Sequence, residues 1–233
     1  MKLRGVIFDL DGTLADTIPI CISAFRDAVK QYTARHYTDQ EIVAIFGPSE
    51  VGMIQRAVPD RWQDCLATYM GVYDRHHRRC ETPFPGVITL LDFLKQRGVP
   101  LAIVSGKGAN SAAVSLRHLG LAQYFDTVET GSPDGDIKHL SIQKVLAKWG
   151  MSPEQVVYIG DAPSDVEAAR KAGVAPLGAA WAASSDLERL QASAPVAIFR
   201  SAASFAEWIE RNLDGDRMRS EDSPWNVSEN RCL

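Results

Sequence analysis

The amino-acid sequence predicts an α/β fold in which a doubly wound parallel sheet carries a helical insert close to its amino terminus. Short apolar runs alternate with segments of helical spacing from about residue 83 onward, and a further apolar run at 5–8 precedes the insert. The stretch 16–82 shows helical spacing alone. Strands that alternate with helices are joined by right-handed crossovers, which make the sheet parallel and bring ligands to the carboxyl ends of its strands.

The predicted strands are short and rich in branched aliphatic residues, as is typical of strands buried on both faces. In chain order they cover 5–8, 99–104, a brief strand near 127–128, 156–159, and short strands near 174–175 and 196–199. The helices between them end near glycines, which tolerate the left-handed backbone that commonly follows a helix. These glycines are Gly98, Gly120, Gly150 and Gly173.

The insert is predicted to be entirely helical. Two apolar stripes recur in it at helical spacing: Ile18, Ile22, Phe25 and Val29, then Trp62, Leu66, Tyr69 and Tyr73. Thr38 and Glu41 match a capping box at the start of a helix between the two stripes. We therefore expect a core domain formed by 1–15 and 83–213, a helical domain over 16–82, and a polar C-terminal tail over 214–233.

Composition and charge limit the classes of partner. The chain has 233 residues, of which 45% are hydrophobic and 23% charged, which is typical of a globular protein. Its formal net charge is −4, so no large positive field is available for binding nucleic acid or an anionic membrane. Any anionic ligand must therefore be bound by local groups, and the expected partner is a small metabolite. Oligomeric state is not readable from the sequence.

The expected location is the cytoplasm, because no apolar run approaches about 20 residues and the amino terminus lacks a signal-peptide pattern. The four cysteines, Cys21, Cys65, Cys80 and Cys232, are widely spaced and contain no CxxC pair. This spacing argues against a zinc site or a disulfide framework.

Unusual polar residues follow three of the predicted strands. Asp9 and Asp11 follow the first strand, residues 105–108 have the sequence Ser-Gly-Lys-Gly after the second, and Asp161 and Asp165 follow the fourth. One such aspartate is often only a helix N-cap, but carboxylates that face each other repel unless a cation lies between them. Hard oxygen ligands without nearby histidine or cysteine favour Mg²⁺ over zinc.

These residues resemble the four ordered motifs of the haloacid dehalogenase superfamily. The motifs correspond to residues 9–13, Ser105, Lys138 and residues 160–165, and the resemblance covers about 3–213. It is strongest to the branch that contains phosphoglycolate phosphatases and β-phosphoglucomutases. That branch has a Rossmann-like core with a small α-helical cap, which the insert 16–82 resembles.

The resemblance implies a catalytic role for three residues. Asp9 is expected to be the nucleophile that forms an aspartyl-phosphate, and Asp11 the acid and base for the leaving group and the water. Lys138 supplies positive charge to the transition state. The family's Mg²⁺ ligands correspond to Asp9, Asp11 through its carbonyl, and Asp161, while Asp165 is expected either to bind the metal as well or to orient its water ligands.

Phosphate contacts are implied for five residues: Gly12, Thr13, Ser105, Gly106 and Lys138. Two positions depart from many relatives. Lys138 is followed by histidine where a proline is common, so Lys144 is the alternative lysine. Ser105 is followed by glycine where asparagine is common.

The expected function is Mg²⁺-dependent hydrolysis of a small phosphate monoester, with phosphoglycolate phosphatase as the most similar activity. The carboxylic acid at position 11 favours phosphoryl transfer over dehalogenation, because a halide needs no proton to leave. A phosphomutase, a pyrophosphatase and a non-catalytic binding module are alternatives. Within the insert, residues 46–50 are either a loop that faces the nucleophile or a simple turn between helices. The basic run 75–79 is either a solvated helix end or a site for a second anionic group of the substrate.

Overall fold

Six strands form one parallel sheet in a computed structural model that describes residues 2–213. The strand order is β3-β2-β1-β4-β5-β6, and every neighbouring pair is parallel. The predicted α/β fold is therefore confirmed. The strands are β1 (Gly5–Phe8), β2 (Leu101–Val104), β3 (Thr127–Glu129), β4 (Val156–Gly160), β5 (Ala175–Ala179) and β6 (Ala197–Phe199).

Helices cover both faces of this sheet, which is why its strands are apolar on both sides. Phe8 belongs to a cluster that also contains apolar residues of α5 and α10, whereas Ile7 belongs to a second cluster with those of α7 and α8. Successive residues of a strand thus supply opposite faces. The core helices are α5 (Val87–Gln96), α6 (Ala109–His118), α7 (Lys138–Trp149), α8 (Pro163–Lys171), α9 (Leu187–Ala192) and α10 (Ala202–Asn212).

Four helices form a separate cluster between β1 and α5, and we call this helical segment the cap. They are α1 (Ile18–Val29), α2 (Asp39–Ala44), α3 (Glu50–Ala57) and α4 (Trp62–His76). Their buried side chains pack around Phe25, Ile54 and Tyr73. The predicted capping box is present, because Thr38 Oγ1 accepts the Glu41 N–H at 3.2 Å and Glu41 Oε2 accepts the Thr38 N–H at 2.8 Å.

The two connections between cap and core lie side by side. The Phe84 N–H, where the chain returns from the cap, donates to the Leu14 carbonyl at 3.0 Å, where the chain leaves the core. The cap is therefore inserted at a single point of the core.

Three elements differ from the sequence-based expectations. Helix α3 was not predicted, and it begins at Glu50 with Ser49 as its N-cap. Strand β2 starts at Leu101, after Pro100, rather than at 99. Strand β5 is longer than expected although it contains Pro176, whose carbonyl accepts the Val196 N–H. The predicted polar tail, 214–233, lies outside the described residues. None of the helices within 2–213 has both the length and the apolar character needed to cross a membrane.

Candidate active site

The polar loops meet at the carboxyl edge of the sheet because β1 lies between β2 and β4. Asp9 follows β1, Ser105 follows β2 and Asp161 follows β4. These residues line a cavity of about 190 Å³, which the cap covers from the opposite side. Its position agrees with the general location of ligand sites in open α/β sheets.

Lys138 lies between two of the carboxylates. Its Nζ is 3.0 Å from Asp9 Oδ1 and 2.6 Å from Asp165 Oδ1. Burial acts to lower the pKa of Lys138, but Asp165 and Asp9 outweigh it and hold the pKa well above its usual value. The lysine is thus a permanent cation in this site. Lys144, the alternative lysine, is exposed and lies 3.7 Å from Glu129 Oε2 instead.

Asp9, Asp161 and Asp165 form an acidic cluster, with one oxygen of each within 4.8 Å of the others. Burial raises the pKa of Asp9 to about 7, against the effect of Lys138 and with that of Asp165. Burial, followed by repulsion from Asp165 and Asp9, also raises the pKa of Asp161 well above its usual range. The raised pKa values mean that ionising these carboxyl groups together is unfavourable without a further cation. A hard divalent cation fits their oxygen donors.

Both carboxylate oxygens of Asp165 accept hydrogen bonds from core residues. Its Oδ2 accepts the Ala162 N–H at 3.0 Å, and the Tyr158 hydroxyl lies 3.0 Å from both Asp165 Oδ1 and the Val104 carbonyl. The side chain is 1% exposed. Asp165 therefore keeps one position, from which it orients Lys138.

Gly12 and Thr13, which were predicted to contact phosphate, pack against Asp161 rather than lining the cavity. The Thr13 hydroxyl lies 3.3 Å from Asp161 Oδ1, and the Trp181 indole N–H donates to the Thr13 carbonyl at 2.9 Å. Gly12 has φ +76°, and any side chain there would collide with the Asp161 carboxylate. The two residues thus position Asp161.

Asp11 is held by Lys107 and Thr17, to which the motifs of the sequence assign no role. The Lys107 ammonium donates to Asp11 Oδ1 at 2.8 Å, and the Thr17 hydroxyl donates to the same oxygen. Lys107 Nζ also lies 2.9 Å from Cys21 Sγ. Burial acts to raise the pKa of Asp11, but the charge and hydrogen bond of Lys107 prevail and lower it. A lysine two residues beyond Ser105, at a strand end, was the signal that could have identified this contact.

The loop after β2 places Ser105 and Gly106 in the cavity wall. The Lys107 N–H lies 3.3 Å from Ser105 Oγ, and the Ser105 N–H donates to the Glu129 carbonyl at 3.1 Å. These bonds fix the start of the loop beside Asp9. A hydroxyl and backbone N–H groups in such a turn can bind phosphate oxygens.

The cap contributes two features to the site. The cavity is lined by Phe46, Gly47 and Pro48, so this part of the predicted loop faces the same cavity as Asp9. Glu50 crosses to the core, where its two oxygens accept the Gly108 N–H and the Ser111 hydroxyl, each at 2.8 Å. Helix α6 has no side-chain cap of its own at Gly108. Glu50 therefore caps a core helix from the cap, a contact that the sequence did not reveal.

The basic run 75–79 lies at the end of α4 and does not line the cavity. Within it, His77 is fully buried and stacks on His118 with ring centroids 4.7 Å apart. Burial lowers the pKa of His77, which favours the neutral ring. His77 therefore packs between cap and core, whereas Arg75, Arg78 and Arg79 are exposed, as in a solvated helix end.

Among the described cysteines, Cys21, Cys65 and Cys80 are free thiols, and Cys232 lies beyond residue 213. Burial raises the pKa of Cys21 to about 12, so its thiol stays protonated beside Lys107. It packs against the Asp11 carboxylate, with Sγ 3.8 Å from Oδ1.

Comparisons by family model, by sequence and by structure all find haloacid dehalogenase-like proteins or proteins named as phosphatases, pyrophosphatases or phosphomutases. The family model for haloacid dehalogenase-like hydrolases matches residues 6–179. The pyrophosphatase PpaX of Halalkalibacterium halodurans is 29% identical over 176 residues, which cover 75% of this chain and 82% of that protein. A candidate phosphoglycolate phosphatase from Lactobacillus delbrueckii subsp. bulgaricus has 26% identity and a TM-score of 0.71, over 90% of this chain and 99% of that one.

A candidate β-phosphoglucomutase from Thermotoga maritima is similar to the same extent. It has 26% identity and a TM-score of 0.68, and the match covers 91% of this chain and 100% of that one. The relatives thus share the fold and differ in the reactions for which they are named. The family model, the parallel sheet and the cluster of carboxylates around Lys138 agree, and the chain belongs to the haloacid dehalogenase-like hydrolases.

Proposed function

We propose that the chain is a Mg²⁺-dependent phosphatase that hydrolyses a small phosphate monoester through an aspartyl-phosphate on Asp9. The observation that carries the proposal is the position of Lys138 Nζ, 3.0 Å from Asp9 Oδ1 and 2.6 Å from Asp165 Oδ1. A fixed cation beside a buried carboxylate at the floor of a cavity suits a phosphoryl group, whose transition state carries charge on its oxygens.

In the first step an Asp9 oxygen attacks phosphorus, and the bond from phosphorus to the leaving oxygen breaks. The leaving oxygen takes a proton from Asp11 and departs as an alcohol. Lys138, Ser105 and the Gly106 N–H hold the phosphoryl oxygens during this transfer. Lys107 keeps Asp11 ionised in the free protein. The arrival of a phosphate dianion raises the proton affinity of Asp11, which takes up a proton from the solvent as the substrate binds and can then donate it to the leaving oxygen.

In the second step Asp11, now a carboxylate, takes a proton from a water molecule. The water oxygen attacks phosphorus, which releases inorganic phosphate and restores the Asp9 carboxylate. Lys107 and Thr17 hold Asp11 throughout by their bonds to its Oδ1. The cap covers the cavity and limits access of bulk water.

The metal site that we propose uses Asp9, Asp161, Asp165 and the Asp11 carbonyl. A Mg²⁺ ion held by these residues would offset their negative charge and would supply Lewis-acid stabilisation to the phosphoryl group. Gly12 and Thr13 serve this site by positioning Asp161.

The test is phosphate release from a panel of monoesters by the wild-type protein and by Asp9→Asn. We expect the variant to lose release by at least about a thousandfold, because the amide is not a nucleophile, while its circular dichroism stays unchanged. Asp60→Asn, on the exposed surface of the cap, is the matched control and should retain full activity. Appreciable turnover by pure Asp9→Asn protein would show that Asp9 is not the nucleophile.

Pyrophosphate hydrolysis is the second candidate, because a curated relative with 29% identity is named as a pyrophosphatase. It uses the same attack by Asp9 and differs only in the group that leaves. Comparing kcat/KM for pyrophosphate with that for the monoesters separates the two candidates.

A further inference from the structure

The cavity has two walls of different chemistry. The core wall carries the charged groups around Asp9, whereas the cap wall is largely apolar. The apolar side chains of the cap wall are Ile18, Phe25, Phe46, Pro48, Met53 and Tyr69. Because the phosphoryl group must lie on the core wall beside Asp9, the cap wall faces the group that leaves.

The cationic side chains among the described lining residues are Lys107 and Lys138, and both belong to the core wall. Each is already paired with carboxylates. Lys138 bonds to Asp9 and Asp165, and Lys107 bonds to Asp11. The described part of the cap therefore presents no cation to a second anionic group of a substrate.

Glu50 is the charged side chain that the cap contributes to the cavity lining. It is 7% exposed, and its oxygens are turned onto the Gly108 N–H and the Ser111 hydroxyl. Its negative charge repels a second anion near the cap wall. An apolar group loses no hydrogen bonds to water there and gains from contact with the apolar side chains.

From these contacts we infer that the leaving group of the substrate is uncharged and predominantly apolar. The inference rests on the proposed phosphatase function and narrows its substrate class. A carboxylate, as in phosphoglycolate, or a second phosphate, as in pyrophosphate, would lie against the apolar cap wall without a counter-ion, which is costly. The inference therefore replaces the sequence-based expectation of a phosphoglycolate-like substrate.

The test measures binding by calorimetry, with the wild-type protein, Mg²⁺ and three phosphonates that cannot be hydrolysed. Benzylphosphonate carries an apolar group, phosphonoacetate a carboxylate and methylenediphosphonate a second phosphonate. We expect benzylphosphonate to bind at least about tenfold more tightly than the other two, since burying part of its ring is sufficient for that factor. Equal or tighter binding of either anionic ligand overturns the inference, as does the lack of saturable binding of benzylphosphonate.

Two matched variants test the role of the cap wall. Phe46→Arg places a cation on this wall at a side chain that is already 40% exposed, so the fold should tolerate it. Val43→Arg, one helical turn earlier and 46% exposed, adds the same charge outside the cavity lining. We expect Phe46→Arg to strengthen methylenediphosphonate binding by about tenfold and Val43→Arg to leave it within about twofold. Equal effects of the two variants would show that the cap wall does not select the leaving group.

Turnover distinguishes failure of this inference from failure of the proposed function. If pyrophosphate or phosphoglycolate is the best substrate and Asp9→Asn abolishes its hydrolysis, the phosphatase proposal stands and the inference fails. If benzylphosphonate binds best but no phosphate ester is hydrolysed, the inference about the cap wall stands and the phosphatase proposal fails.

Discussion

Removal of the Glu50 carboxylate should release the cap from the core. In Glu50→Ala, the Gly108 N–H loses its acceptor and the Ser111 hydroxyl keeps only the Gly108 carbonyl, at 3.1 Å, while the closed cap still shields both groups. Hydrogen bonds to a charged group contribute about 1.5–3 kcal/mol each, so two of them at the lower value amount to about 3 kcal/mol. Opening of the cap exposes both groups to water and recovers most of this loss.

A change of about 3 kcal/mol lowers the ratio of closed to open protein by about a hundredfold. We therefore expect kcat/KM of Glu50→Ala to fall by between about tenfold and a hundredfold, if catalysis requires the closed cap. The midpoint of global unfolding should change little, because cap and core each keep their own apolar cluster. Glu50→Gln should give an intermediate loss, because its amide retains one acceptor oxygen.

The assay is hydrogen exchange at the amides of residues 108–112, followed beside kcat/KM. Exchange should accelerate in Glu50→Ala and stay unchanged in Gln63→Ala, an exposed position on α4 that serves as the control. Unchanged exchange at Gly108 together with unchanged kcat/KM would refute the assignment of Glu50 as a contact that stabilises the closed cap.

Three further predictions concern the core. Lys107→Met should lower the free energy of unfolding by about 2–3 kcal/mol, because half-buried Asp11 loses its cation while keeping the Thr17 hydroxyl. Exposed Lys144→Met should change the free energy of unfolding by less than about 0.5 kcal/mol, and equal losses in chemical denaturation would contradict this role of Lys107. A chelator should abolish phosphate release and added Mg²⁺ should restore it, and full activity in excess chelator would exclude the proposed metal site. The rise in melting temperature caused by Mg²⁺ should be larger at pH 8 than at pH 6, because the pKa of Asp9 is raised to about 7 and its proton must leave before the metal binds. A pH-independent rise in melting temperature would show that Asp9 is not a metal ligand.

The sequence predicted the sheet well because its signals are local. The four residues of β1 are apolar and the next is Asp9, so both the strand and its end can be recognised within a few positions. Strand β5 was predicted too short because Pro176 and Gly178 weaken its pattern, and only its pairing with β4 and β6 identifies its full length. Lys138 was predicted through its motif, and the structure places its ammonium beside Asp9.

Two contacts between distant parts of the chain were not predictable in the same way. Glu50 and Gly108 are 58 residues apart, and Asp11 and Lys107 are 96 apart. Neither pair belongs to a periodic pattern, and each residue type is common on protein surfaces. Such contacts depend on how distant parts of the chain meet, which a single sequence does not encode in local spacing.

The hydrogen bond between Phe84 and Leu14 has a consequence for how such a protein can be altered. The chain leaves and re-enters the core at neighbouring backbone positions. A short turn could therefore connect these two positions as well as a whole domain does. Recombination at this junction can exchange one helical segment for another without displacing a strand of the sheet. The phosphoryl chemistry proposed for the sheet edge and the selection of the leaving group proposed for the cap can then change independently, each by substitutions in its own part of the chain.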